Sequence, residues 1–121
     1  MRASRPSFFR CLVFSCFIAA SVGFVSDAFG AVYTCVPRYV GAFPSRVHVL
    51  CTAPAAGGIS YFAVCTEGNS AAASRALSAF TTAKVTGKSL QIYYTAADTS
   101  GTSCGCLASD CRLVLGVEVL Q

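Results

Sequence analysis

Six cysteines follow residue 30 in this chain: Cys35, Cys51, Cys65, Cys104, Cys106 and Cys111. An even set in a short exported chain reads as a disulfide framework, for which six cysteines allow 15 connectivities. The residues around Gly57 and Gly58 have turn chemistry, and a hairpin centred near Gly58 would set Cys51 opposite Cys65, so that bridge is the first expectation. Cys104, Cys106 and Cys111 with His48 also offer sulfur and nitrogen donors of the kind zinc takes. No second cysteine pair stands at finger spacing, and an oxidising compartment favours disulfides, so no metal site is expected. A redox role would need a Cys-x-x-Cys pair, and the chain holds only Cys104-Gly105-Cys106.

His48 is the sole histidine. Histidine-based acid–base catalysis would have to use it, with Asp98 or Asp110 as orienter and a serine as nucleophile. None of these residues sits in a local catalytic motif, and a lone histidine on the outer face of a strand is ordinarily solvated or turned towards a partner. Glu67, Asp98, Asp110 and Glu118 include no close pair suited to glycoside hydrolysis. The expectation is no enzyme, no catalytic residue and no cofactor. Tyr33, Tyr61, Phe62, Tyr93 and Tyr94 fall in strand-like stretches where alternate members face outwards. An exposed tyrosine ring suits stacking on a sugar or a protein, although ordinary packing, under the helix or between subunits, is the commoner role for any single ring.

The chain opens with Arg2, Arg5 and Arg10, then an apolar run from Cys11 to Val25 and small residues at Ala28 and Gly30. This is the layout of a secretory signal cleaved between Gly30 and Ala31, leaving 31–121 as one disulfide-stabilised domain with no membrane span. An N-terminal anchor is the competing reading. Of nine basic and five acidic residues, three arginines and Asp27 lie in the first thirty, so the remainder holds six and four. A balance this mild, with scattered cations, excludes a nucleic-acid surface. With charged residues at 12% and hydrophobic ones at 55%, apolar surface remains for a partner or a second copy.

These residues need elements to hold them. Ala71 to Ala83 is rich in the best helix former, Asn69 or Ser70 can cap its first turn, and Gly87 can end it in the left-handed conformation. Ala73, Ala76, Leu77, Phe80 and Ala83 form one apolar stripe that must lie on a sheet. Strands are expected at Ala31–Val36, Ser45–Thr52, Ile59–Thr66, Lys88–Thr95 and Arg112–Leu120. In the second, Val47, Val49 and Cys51 share one face and Arg46, His48, Leu50 and Thr52 the other. In the last, Leu113, Leu115, Val117 and Val119 make the inner face. Val40 to Pro44 reads as a loop, and Ala96 to Ser103 as an exposed, mobile one. The fold class is α+β: a small, curved antiparallel sheet, OB-fold-like, of about five strands with one helix after the third.

The order of signal, short strands, Ala/Ser-rich helix (Ala71 to Thr86), Gly87-Lys88, strand (Leu90 to Tyr94), cysteine-held loop and final strand (Leu113 to Leu120) resembles the B subunits of bacterial AB5 toxins. The subtilase-cytotoxin and pertussis-like branches are the nearest. Asp98 to Gly101 followed by Cys104 to Arg112 is also similar to a group of small exported bacterial proteins without assigned function. The toxin resemblance implies an OB-fold subunit in a homo-pentamer that binds a glycan or cell-surface glycoprotein and carries a catalytic toxin subunit. It places no sugar-binding residue on this chain. The expected function is a secreted or periplasmic, non-enzymatic glycan-binding module. The alternatives are a monomeric exported protein that binds or inhibits another protein, and a small secreted hydrolase using His48.

Overall fold

A computed structural model describes residues 30–121. The expected signal lies outside the described residues. The elements are β1 (Ala31–Cys35), β2 (Pro37–Ala42), β3 (Arg46–Ala55), β4 (Ile59–Cys65), α1 (Ser70–Thr86), β5 (Leu90–Tyr94) and β6 (Cys111–Val119), with a short 3-10 turn at Ser100–Cys104. The α+β class holds. The sheet has six strands rather than five, in the order β1-β5-β6-β4-β3-β2. It is mixed rather than antiparallel, because β4 and β6 run parallel from Tyr61–Cys111 to Ala63–Leu113.

The additional strand is β2, where a loop was expected. Pro37 cannot donate to a ladder and Gly41 weakens one, but β2 is at the end of the order, where a missing donor is tolerated. Only Val36 separates β1 from β2, although they stand at opposite ends of that order. The sheet must therefore curl until its two ends share one run of chain. Two links fasten that junction: Thr52 N–H donates to the Val36 carbonyl at 2.9 Å, and Cys35 is bridged to Cys51.

Inside the curl sits the main core, with Phe62, Phe80, Leu90, Ile92, Val49 and Cys35 as its largest fully buried side chains. The helix meets it as the stripe requires: Ala73, Ala76, Phe80 and Ala83 are buried and Leu77 packs at the margin. Three alanines let the helix axis approach the sheet closely, and Phe80 fills the space between. Gly87 ends the helix at φ 67°, and the next N–H, of Lys88, bonds the Ala83 carbonyl at 3.0 Å. The expected side-chain cap is absent. Asn69 holds the N-cap position but makes no side-chain bond there; its backbone carbonyl accepts from Ala73 N–H at 2.9 Å.

A second, smaller cluster lies on the other face of the sheet. Ala63, Cys104, Cys106 and Cys111 are buried there, with Tyr61, Cys65 and Leu113 packed around them. The loop expected to be exposed between Ala96 and Ser103 folds onto this face through its 3-10 turn, burying Gly101 and Cys104. In β6, a register shift opposite Tyr93 and Tyr94 changes which residues face inwards. Val114, Val117 and Val119 join the main core, Leu113 turns to the outer cluster, and Leu115 is 65% exposed. This corrects the expected inner face.

The bridges are Cys35–Cys51, Cys65–Cys104 and Cys106–Cys111. The expected Cys51–Cys65 bridge does not form, because the two lie on opposite faces. Cys51 points into the main core, whereas Cys65 stands opposite outward-facing Arg46. The hairpin is not symmetric about Gly58. Between the pairs Leu50–Tyr61 and Ala55–Ile59, β3 advances five residues while β4 advances two, and this irregularity displaces the register. Three disulfides suit an oxidising compartment. Among the described residues, no helix is long and apolar enough to cross a membrane.

Candidate functional site

The outward face of β3 presents Arg46 and His48, since Val47, Val49 and Cys51 alternate into the core. Tyr61 of β4 flanks them, with its ring edge-on to His48 at 5.3 Å between centroids. Across from these strands, the crosslinked loop contributes Gly105, Leu107, Asp110 and Cys111. Together they line a cleft of about 240 Å³.

The loop is held in place by bonds that converge on its two ends. Cys65–Cys104 ties its first half to β4, and Cys106–Cys111 closes its second half. The Cys104 carbonyl accepts from Arg46 Nη1 at 3.1 Å and from Ser45 Oγ at 3.2 Å. The Asp110 carbonyl accepts from the N–H groups of Ser60 and Tyr61 at 2.9 and 3.0 Å. Arg112 reaches Ala96 O at 2.6 Å and Ala108 O at 2.7 Å, clamping the strands of the loop together. Gly105 must be glycine twice over: its φ is 87°, and a Cβ there would collide with Arg46 Nη1.

His48 is half-buried between two rings, Phe43 at 5.1 Å and Tyr61 on the other side. Space for the imidazole depends on Gly41, whose Cβ would stand 2.7 Å from Nε2. Arg46 Nε donates to His48 Nδ1 at 3.3 Å. A guanidinium only donates, so Nδ1 is the acceptor and the neutral ring carries its proton on Nε2. Burial first, and the Arg46 charge second, push this imidazole below its ordinary pKa, which keeps it neutral near pH 7. The Arg46 side chain also lies over the Phe43 ring at 5.0 Å, so the cation, the imidazole and two aromatic rings hold one another in place.

The two carboxylates considered as partners for His48 separate. Asp110 lines the cleft, whereas Asp98 sits in the preceding loop, where hydrogen bonds from Ser100 hold its carboxyl below the usual range. His48 is oriented by Arg46, a cation, so the arrangement lacks the carboxylate that orients a catalytic imidazole. Among the described residues, no serine lines the cleft. Cys104, Cys106 and Cys111, the sulfur donors of the zinc reading, are all engaged in disulfides.

Of the aromatic residues, Tyr94 and Phe62 are core, meeting edge to face at 4.9 Å, and Tyr33 stacks on Phe62 at 5.8 Å. Tyr93 faces outwards and donates to Glu118 at 3.0 Å; that bond, ahead of slight burial, raises its pKa. Of the five strand aromatics considered, Tyr61 is the one that joins the cleft. Leu107 and Gly105 carry no sequence signal of a site, because a bridge spanning 39 residues is what brings their loop to β3 and β4. The chain matches no protein-family model, no curated protein and no solved structure.

Proposed function

We propose that this chain is a secreted or periplasmic, non-enzymatic binding module whose cleft between β3, β4 and the crosslinked loop takes a glycan. The observation that carries the reading is the composition of that cleft: an aromatic ring and Leu107 beside the hydrogen-bonding groups of Arg46, His48 and Asp110. Sugars present apolar C–H faces and dense hydroxyls, and a site of this mixed kind matches both. Its loop wall is crosslinked by two disulfides, which limits the ordering cost on binding.

The architecture proposed is OB-like. Support comes from the strand order, in which a first strand split at Val36 pairs with β5 by one half and β3 by the other, and from the helix inserted between β4 and β5. The resemblance to AB5 toxin B subunits adds a homo-pentamer and a catalytic partner subunit. For self-association the available apolar surface includes Val32, Val36, Tyr39, Val85 and Leu115, each at least half exposed.

A glycan-array screen of the oxidised mature protein tests the reading, run beside a Tyr61→Ala variant. Retained binding of a defined glycan class by the wild type, lost in the variant, supports it. Absence of any glycan ligand contradicts it and leaves the protein-binding alternative. Native mass tests the assembly: a pentamer supports the ring, and a monomer removes that part.

A further inference from the structure

We infer that the cleft takes a single neutral hexopyranose unit, held through a pair of hydroxyls on Asp110, rather than a carboxylate-bearing sugar. This rests on the glycan reading above. At about 240 Å³ the cleft falls below the roughly 300–1,000 Å³ of sites for drug-sized ligands, so it has room for one ring, and further units of a chain would lie outside it.

The polar groups are divided between two walls. On the β3 wall stands a donor, Arg46. Arg46 Nε and Nη1 are engaged by His48 and Cys104, which leaves Nη2 as its unengaged nitrogen, while the His48 ring lines the wall with its Nε2 set against Gly41. On the loop wall stands Asp110, whose backbone carbonyl is bound by β4 while no described side chain or N–H donates to its carboxylate. An ionised carboxylate accepts only, at two oxygens, and adjacent hydroxyls of a sugar ring supply two donors at matching separation. The same ring can offer oxygens to Arg46 on the other side. Tyr61 and Leu107 provide apolar surface for its C–H face.

A sugar carboxylate fits this distribution poorly. Any attraction to Arg46 would be opposed by Asp110 in the same small cleft, and the acid would displace the donors that Asp110 requires. Neutral His48 adds no second positive charge to offset that. Arg46 and Asp110 together therefore select against net charge on the ligand.

The test is amide chemical-shift titration of the oxidised protein with the methyl glycosides of galactose, glucose, mannose and N-acetylneuraminic acid. The expected result is saturable perturbation around Arg46, Tyr61 and Asp110 by at least one neutral hexoside, and weaker or no perturbation by the sialoside. Asp110→Ala should weaken the neutral sugar at least tenfold, and Asp110→Asn, which keeps one acceptor, should weaken it less. Because the backbone of residue 110 makes the bonds to β4, both variants should keep the wild-type spectrum outside the cleft. Tighter binding of the sialoside at the cleft, or unchanged affinity in Asp110→Ala, overturns this inference while leaving the glycan reading in place. No perturbation by any of the four, with an array that is also blank, overturns both.

Discussion

The two faces of the sheet are stabilised by different physics. Beneath the helix, Phe62, Phe80, Leu90 and Ile92 are buried completely, and one disulfide, Cys35–Cys51, lies among them. On the outer face, three of the four residues of the buried hydrophobic cluster are half-cystines, and the fourth is Ala63. The loop covering that face explains the contrast. Between Thr95 and Asp110 it holds small and polar residues and only one large apolar side chain, Leu107, which is 63% exposed. A loop with nothing large to bury cannot be held by the hydrophobic effect, so covalent bridges and arginine clamps hold it. In the chain-entropy description, closures of 16, 39 and 5 residues stabilise by roughly 3, 4 and 2 kcal/mol. The cleft lies on the crosslinked side, where a fixed loop can display polar groups that a packed core would have to satisfy internally.

The strongest way to break the comparison is to attack each side separately. Phe80→Ala should cost about 3–5 kcal/mol in chemical denaturation, because it empties the centre of the helix-backed core. Replacing both Cys106 and Cys111 by alanine should cost only about 2 kcal/mol and leave the far-ultraviolet helix signal intact, while ligand binding at the cleft is lost. Equal losses of helix signal in the two variants would show that the faces are not separable. Gly105→Ala should come next, at about 1–2 kcal/mol from its left-handed backbone. Since it also displaces Arg46, its effect on affinity should exceed that of an alanine at exposed Leu107.

Acid gives the smallest effect. His48 takes up a proton less readily in the folded chain than in the unfolded one, so the unfolded state binds more protons below its ordinary value of 6.5. Its contribution is complete above that value and is lost as pH falls through the lower folded value. Protonation would also break the Arg46–His48 bond and set two cations together, so affinity at the cleft should fall in the same window. Denaturant midpoints measured from about pH 7.5 down to about pH 5 should decline less steeply in His48→Gln than in the wild type.

How much of this was legible in sequence depended on whether a feature had a local cause. The stripe from Ala73 to Ala83 and the stop at Gly87 follow from helical period and left-handed geometry, and both stand as read. So does the alternation that turns Arg46 and His48 outwards. β2 was missed because Pro37 and Gly41 are breakers in any strand but one at the end of a sheet. The inner face of β6 was misassigned at a register irregularity, which reverses alternation without marking the sequence. The Cys51–Cys65 expectation failed for the same kind of reason in β3. The cleft was half legible: its β3 wall follows from period two, while Gly105, Leu107 and Asp110 arrive through a bridge to Cys65 that spacing could not select.

The central claim, that one bridge belongs to the helix-backed core and two fasten the binding face, is tested most directly by peptide mapping of the non-reduced protein. The account predicts Cys35 linked to Cys51, Cys65 to Cys104 and Cys106 to Cys111. A peptide joining Cys51 to Cys65, or either Cys35 or Cys51 to the Cys104–Cys111 segment, would contradict it.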